Sequence, residues 1–432
     1  MPSKSSDARE AALYVLARCR RFDAWSQQTL KTAAEKYGLD KRDSALCAKL
    51  CLDVLQNAAL CDYYIECYSS VPVAKLEPQV LDILRLGVCQ LLFADKIPAS
   101  AAVNEAVNQA KRTCGRASGL VNAVLRRIAE NRSHLPDIPQ NGTAEELSIR
   151  YSHPLWLCEK MVSEVGYEKA RAYFSANNCP PKLTVTANLC RCNASELAER
   201  FSSAGICAQI SPLSPVSVCV ASEGSVTDLP GFENGDFFVQ DAAAAMSVLC
   251  AAPQKGMRVL DACSAPGGKS MLAAALMHNE GEIISCDLHA KKLRIIEENA
   301  DRLGFDIIRT APMDASKPYD TMYDGFDLVI ADVPCSGMGV IRKKPEIRYK
   351  NPGELTGLPD IQKRILDGVS RCVRKGGVLL YSTCTVFHEE NTDVVNAFLD
   401  THPEFTQEEQ RLIWPQDDDT DGFFYCRMRR NG

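Results

Sequence analysis

Histidine is scarce in this chain, with six residues in 432. No Cys-x-x-Cys occurs, and the nearest approaches are Cys47/Cys51 and Cys190/Cys192. The ligand spacing of a structural zinc site is therefore missing, and no bound metal is expected. Glycine and proline are modest at 25 and 22 residues, which excludes collagen-like repeats and low-complexity disorder. No apolar run approaches the roughly 18 residues that span a bilayer; the longest mostly apolar stretch lies near Ala242–Ala252. The opening Met1-Pro-Ser-Lys-Ser-Ser-Asp-Ala-Arg-Glu10 is polar and charged, unlike a signal peptide. A soluble cytoplasmic protein with no membrane partner is expected.

Two features stand out among what is present. There are 20 cysteines, scattered without paired spacing, which read as reduced thiols used as small hydrophobes. Net charge is −6, yet it is unevenly shared: residues 1–140 carry +4 and the remainder −10. Within the first part, Lys111, Arg112, Arg116, Arg126, Arg127 and Arg132 face only Glu130. A run of that density is either a solvated face or a phosphate-contacting surface.

Apolar spacing predicts helices over Ala8–Cys19, Leu46–Tyr64, Gln79–Phe93 and Ala101–Ala129, with a linker over Ser133–Gly142. Residues 145–235 mix helical Pro154–Ala176 and Ser195–Ala204 with strand-like Leu183–Asn188, Cys207–Ile210 and Ser217–Ala221, a small α+β unit. From residue 236 to 432, strand-like runs alternate with helix-length patterns: Met257–Cys263, Glu282–Asp287, Asp306–Ala311, Phe326–Ala331 and Gly377–Ser382. Helices are predicted over Gly267–His278, Ala290–Leu303, Ile361–Val373 and Glu389–Asp400. That grammar predicts an α/β domain with a mostly parallel, doubly wound sheet.

The first strand of this domain runs into Val259-Leu-Asp-Ala-Cys-Ser-Ala-Pro-Gly-Gly-Lys-Ser270. Gly268-Lys269-Ser270 fits the end of a phosphate-binding loop, but Cys263 stands where its first glycine belongs. The dinucleotide pattern Gly-x-Gly-x-x-Gly is absent. S-adenosylmethionine has no pyrophosphate, needs fewer glycines, and needs an acid on the next strand for its ribose. Asp287 lies 20 residues after Gly267, the usual interval.

Further strands end in Pro312-Met-Asp314 and in Ile330-Ala-Asp-Val-Pro-Cys-Ser-Gly-Met-Gly339, and the last delivers Thr383-Cys384-Thr385. Ligands bind at the carboxyl ends of such strands, so Asp314, Asp332, Cys335 and Cys384 are expected on one rim with the glycine loop. Two cysteines beside a methyl donor suit methylation of a pyrimidine at C5. A thiolate adding to C6 makes C5 enamine-like, and loss of the C5 proton later expels the thiol.

These motifs resemble the Sun/Fmu-type 16S ribosomal RNA (cytosine-5)-methyltransferase family. The resemblance rests on Ala-Cys-Ser-Ala-Pro-Gly-Gly-Lys (262–269), Asp-Val-Pro-Cys-Ser-Gly-Met-Gly (332–339), Arg-Lys-Lys-Pro-Glu-Ile-Arg-Tyr (342–349), Tyr-Ser-Thr-Cys-Thr (381–385) and Asp-Gly-Phe-Phe (421–424). It implies that Cys384 is the C6 nucleophile and that Cys335 assists release of the methylated base. It also implies that Cys263, Ser264, Ala265, Pro266, Gly267, Gly268, Lys269, Asp287 and Asp314 bind S-adenosylmethionine. Asp332 would border both cofactor and base. The helical part is similar to NusB, an RNA-binding domain, in residues 103–111 and 120–127. The small α+β unit corresponds to that family's RNA-binding subdomain. Expected RNA contacts are Lys111, Arg112, Arg116, Arg126 and Arg127, with Arg342, Lys343, Lys344, Arg348 and Lys350 holding phosphates beside the site. The implied partner is small-subunit ribosomal RNA, bound by a monomer, with no DNA. A nucleotide hydrolase and a non-catalytic RNA-binding assembly factor remain as alternatives.

Overall fold

The computed structural model describes residues 4–22, 26–94, 96–221 and 224–432. By packing, the chain divides into two units: residues 1–178 with 344–350, and 179–343 with 351–432. The division falls at Asn178 rather than in the expected linker near residue 140, so the helices that follow the linker belong with the N-terminal unit.

The first unit is helical: α1 (Lys4–Phe22), α2 (Ser26–Tyr37), α3 (Lys41–Tyr68), α4 (Pro78–Phe93), α5 (Ala99–Thr113), α6 (Ser118–Glu130), α7 (Ala144–Tyr151), α8 (Leu155–Val165) and α9 (Tyr167–Asn178). The single helix expected over Ala101–Ala129 is two. Cys114 leaves helical geometry (φ −146°, ψ 57°), and a 3₁₀ turn at Gly115–Ala117 follows. The break lets the apolar faces of α5 (Ala102, Val103, Ala106, Ala110) and α6 (Val121, Val124, Leu125, Ile128) enter one core. Likewise Pro154–Ala176 is broken at Gly166, which sits at φ +78°.

By length and composition α3 could cross a membrane. Its apolar residues, from Cys47 through Leu50, Val54 and Cys61 to Ile65, are instead buried in this helical core. It kinks at Asn57 (φ −126°, ψ 18°). Several backbone groups around the kink are met by side chains. Ser152 Oγ accepts from the amides of Ala59 (2.8 Å) and Leu60 (3.4 Å), Arg348 donates to Gln56 O (3.1 Å), and Tyr349 to Leu55 O (2.8 Å).

The second unit holds β1 (Leu183–Ala187), α10 (Ala194–Ser203), β2 (Cys207–Ile210), β3 (Ser217–Ala221) and β4 (Phe237–Val239). These strands form an antiparallel sheet in the order β2-β3-β1-β4, with Leu197 and Phe201 of α10 in its core. Phe237–Val239, expected in the catalytic part, is thus an edge strand of the small sheet.

The elements beyond are α11 (Ala242–Ala251), β5 (Arg258–Asp261), α12 (Gly268–Leu276), β6 (Glu282–Asp287), α13 (Ala290–Leu303), β7 (Ile308–Pro312), β8 (Phe326–Asp332), α14 (Pro352–Leu355), α15 (Leu358–Ser370), β9 (Val373–Thr383), α16 (Thr392–Thr401), β10 (Phe405–Ile413), α17 (Pro415–Asp418) and β11 (Phe423–Arg430). The sheet order is β10-β11-β9-β8-β5-β6-β7. Strands β5 to β9 are parallel, and β11 runs antiparallel to both β9 and β10. Alternate residues feed two cores, as a doubly wound sheet requires. Val259, Ile283, Leu328 and Leu380 pack with α11–α13, whereas Leu260, Val329, Leu379 and Tyr381 pack with α15 and α16. After β5 the chain builds β6 and β7 on one side, then returns to place β8 on the other. The strand order therefore reverses between β5 and β8, where ligands of such folds bind.

Candidate active site

The glycine loop leaves β5 beside that switch point and is tied to the neighbouring strand. The Ser264 amide and hydroxyl both donate to Cys286 O (2.7 and 2.9 Å), and the Gly267 amide returns to Ser264 O (2.6 Å). Gly267 stands at φ +105°, and a Cβ there would crowd Ile296 and Met271 at 3.3 Å. Only glycine makes this turn without strain before α12 begins at Gly268. Desolvation pushes the Cys263 thiol far above its ordinary pKa, which disfavours a thiolate there.

A cleft of about 750 Å³ opens at the ends of β5 to β8 and is lined by Cys263, Leu288, Met313, Asp314, Pro334 and Ile365, among others. At its edge, Asp287 ends β6 with Oδ1 accepting from the His289 amide (2.9 Å). Leu288 beside it is 64% exposed, an apolar surface open to a flat ligand. Asp314 accepts from the Ser316 amide (2.9 Å) and hydroxyl (2.7 Å), bonds that hold its carboxyl below the usual range.

Lys269, from the first turn of α12, is 9% exposed and places Nζ 2.6 Å from Asp332 Oδ2 at the end of β8. Ser382 Oγ donates to the other oxygen of Asp332 (2.8 Å). Beneath them lies fully buried Asp261, with Ser270 donating to Oδ2 (2.7 Å) and no hydrogen-bond partner for Oδ1. Burial pushes this carboxyl up to about 7.

The two cysteine loops meet. Cys335 Sγ lies 3.2 Å from Cys384 Sγ. The Gly339 amide donates to Cys384 O (2.9 Å), Ser336 Oγ to Thr385 Oγ1 (2.8 Å), and the Gly422 amide to Gly339 O (2.8 Å). The hydrogen bond to Cys384, then burial, then the charges of Cys384 and Glu390 raise the Cys335 thiol well above its ordinary pKa. Either sulfur can donate across this contact.

The expected basic loop is corrected. Arg342 is 3% exposed and meets Asp419 (3.2 Å) and Asp421 (3.5 Å), while Lys343 Nζ sits between Asp241 (2.6 Å) and Asp421 (2.8 Å). Arg348 is fully buried in the helical unit, donating to Gln56 O, Ser152 O and Asn178 Oδ1. These cations neutralise internal charges and carbonyls and are not presented to phosphate. Of the five expected loop cations, Lys344 is exposed and Lys350 is half-buried. In the helical unit Lys111, Arg112, Arg116, Arg126 and Arg127 are all exposed, with Arg112 also 2.9 Å from Glu10.

Sequence reasoning missed Glu390, Gln362 and Asn391, which brace the cysteine loops. Asn391 accepts from Thr383 Oγ1 (2.6 Å) and donates to Thr385 O (3.0 Å). The only local signal was Glu389-Glu390-Asn391 shortly after Cys384, a pattern that also opens a helix.

Known families match along the chain. Residues 248–429 match the family described as 16S rRNA methyltransferase RsmB/F, residues 6–130 match the NusB family, and residues 153–227 match the ferredoxin-like domain of RsmF/B-type methyltransferases. A probable ribosomal RNA small subunit methyltransferase B from Bacillus subtilis is 35% identical over 99% of this chain and 100% of its own. The chain belongs to that family. A relative of the same description from Synechocystis is 31% identical over 95% of this chain and 92% of its own. Among solved structures, PH0851 superposes with a TM-score of 0.81 at 25% identity, covering 99% of both chains. NSun6 from Pyrococcus horikoshii, solved with the S-adenosylmethionine analogue SFG, shares the fold at a TM-score of 0.58 and 20% identity, covering 65% of this chain and 98% of its own.

The cofactor that goes with this family is S-adenosylmethionine, and the residues here fit it. The glycine turn is one a side chain would crowd, Asp287 offers carboxylate oxygens to a ribose diol, and Leu288 offers an apolar face for adenine. Lys269 is already committed to Asp332, and Ser270 to Asp261 and Ser285, which argues against a triphosphate-binding role for Gly268-Lys269-Ser270.

Proposed function

We propose that this chain methylates C5 of one cytidine in small-subunit ribosomal RNA through a covalent bond between Cys384 Sγ and C6. The observation that carries the reading is the 3.2 Å approach of Cys384 to Cys335, which is next in sequence to Pro334 of the cleft lining. In this reading the glycine loop (Cys263, Ser264, Ala265, Pro266, Gly267, Gly268), with Asp287 and Asp314, holds the cofactor. S-adenosylmethionine, when bound, supplies an electrophilic methyl group and departs as the neutral thioether.

The chain's own residues do the rest. Asp332, oriented by Lys269 and Ser382, accepts a hydrogen bond from the cytosine amino edge. The Cys384 thiolate forms the S–C6 bond, and the C5=C6 electron pair becomes available at C5 for the methyl. The C5 proton then leaves to water, its bonding pair re-forms C5=C6, and the S–C6 pair returns to Cys384. Cys335, held as a thiol, donates a hydrogen bond to that departing sulfur and lowers the cost of its negative charge. The base must be unstacked to reach Cys384, which selects a loop or junction nucleotide. Lys111, Arg112, Arg116, Arg126 and Arg127 provide exposed cations for phosphate contacts in the helical unit.

Bisulfite mapping of ribosomal RNA tests the reading in a strain lacking the protein. One 5-methylcytosine is expected to disappear, to return with the wild-type chain, and not to return with Cys384→Ala. An unchanged methylation map overturns it.

A further inference from the structure

Cys335 is gripped through the peptide groups on both sides of it, by two side chains that no part of the reading above uses. Gln362, from α15, donates from Nε2 to the carbonyl of Pro334 (3.0 Å) and also to Glu390 Oε2 (2.9 Å). That same Glu390 oxygen accepts from the backbone amide of Ser336 (2.9 Å). Glu390 is 2% exposed, and its own carbonyl accepts from Tyr381 OH (2.6 Å) on β9. The result is a closed path from Pro334 through Gln362 and Glu390 to Ser336, with Cys335 between its ends. A carboxylate kept out of water normally needs a cation, and here its recorded partners are two N–H donors. Its negative charge is one of the causes that raise the Cys335 thiol.

We infer that Glu390, with Gln362, is a positioning residue for release of the methylated base, fixing the Cys335 S–H against the sulfur of Cys384. This inference rests on the covalent reading above and assigns the second half of that reaction to a buried clamp. Addition of Cys384 to C6 does not need the clamp. Breaking the S–C6 bond does, because the departing sulfur takes its hydrogen bond from Cys335. The negative charge of Glu390 also keeps Cys335 in the S–H form that can donate.

The test uses the full chain with small-subunit RNA and S-adenosylmethionine, in Glu390→Ala and Glu390→Gln. Both variants are expected to transfer about one methyl per enzyme and then stall, with turnover down about 100-fold in the alanine form, the scale of a misplaced catalytic group. An enzyme–RNA complex stable to denaturing gels is expected to accumulate, with KM for RNA unchanged. Adding Cys384→Ala abolishes the complex. In Glu390→Gln the alkaline limb of the turnover profile moves to lower pH, because a thiol beside a neutral amide loses its proton sooner. A merely structural role would lower adduct formation and turnover together, and that result overturns the inference, as does wild-type turnover in Glu390→Gln. Cys335→Ala separates the two levels. If it traps the complex and the Glu390 variants do not, the clamp alone is wrong. If Cys335→Ala traps nothing and turns over normally, the covalent reading fails with it.

Discussion

The backbone amide of Gly339 donates to the carbonyl of Cys384 at 2.9 Å, joining the two cysteine loops without any side chain. The approach is possible only for glycine: a Cβ at 339 would stand 1.8 Å from Gly422 O and 2.8 Å from Cys384 O, both backbone atoms that cannot swing aside. Gly339→Ala is therefore expected to push the loops apart, lowering methyl transfer at least about 100-fold. It should also lower stability by about 1–3 kcal/mol through overpacking. Denaturant unfolding alongside single-turnover methylation checks both numbers.

Asp261 gives a pH signature. Burial raises its carboxyl to about 7 from about 3.9 in an unfolded chain, so between those values the folded protein binds more protons than the unfolded one. By linkage, this residue's contribution to stability falls as pH rises through that window and is lowest above it, by roughly 4 kcal/mol at most. Asp261→Asn stays neutral throughout. The stability difference between wild type and Asp261→Asn should change between pH 4 and 8 in favour of the variant at the upper end, read by thermal unfolding across that range.

The cations of the chain fall into two kinds that salt dependence separates. Lys111 and Arg116 are exposed, and replacing both with alanine should reduce the slope of log affinity against log salt by about 1–2. Arg348→Ala should leave that slope unchanged in folded protein and cost about 3 kcal/mol or more of stability. It strips partners from Gln56 O and Ser152 O at the kink of α3. RNA titrations at several salt concentrations, with urea unfolding of Arg348→Ala, distinguish the two.

Those cations also show where sequence reading runs out. The strands β6 and β3 and helix α13 stand where apolar periodicity puts them, because each buries apolar residues against a neighbour. The rim residues were legible too, since a carboxyl strand end fixes where Asp287, Asp332 and Cys384 emerge. The run Arg342-Lys-Lys-Pro-Glu-Ile-Arg348 reads locally as solvated charge. Its burial is decided by carboxylates and carbonyls far away in sequence: Asp419, Asp421, Gln56 and Ser152. Strand β10 was missed for a related reason. Most of its residues between Phe405 and Ile413 are exposed and polar, so the edge strand has no apolar alternation to announce it. Helix α2 and the pairing of β4 with β1 carry no strong local pattern either, being set by packing and by register with Val185 to Ala187.

The most direct measurement follows the proton on the target carbon. Small-subunit RNA labelled with tritium at C5 of cytidine is incubated with the chain and S-adenosylmethionine, and tritium in water is counted against methyl groups transferred. The account predicts one tritium released per methyl, none from Cys384→Ala, and an SDS-stable RNA adduct with Cys335→Ala. Methyl transfer without tritium release, or equal release from Cys384→Ala, would contradict it.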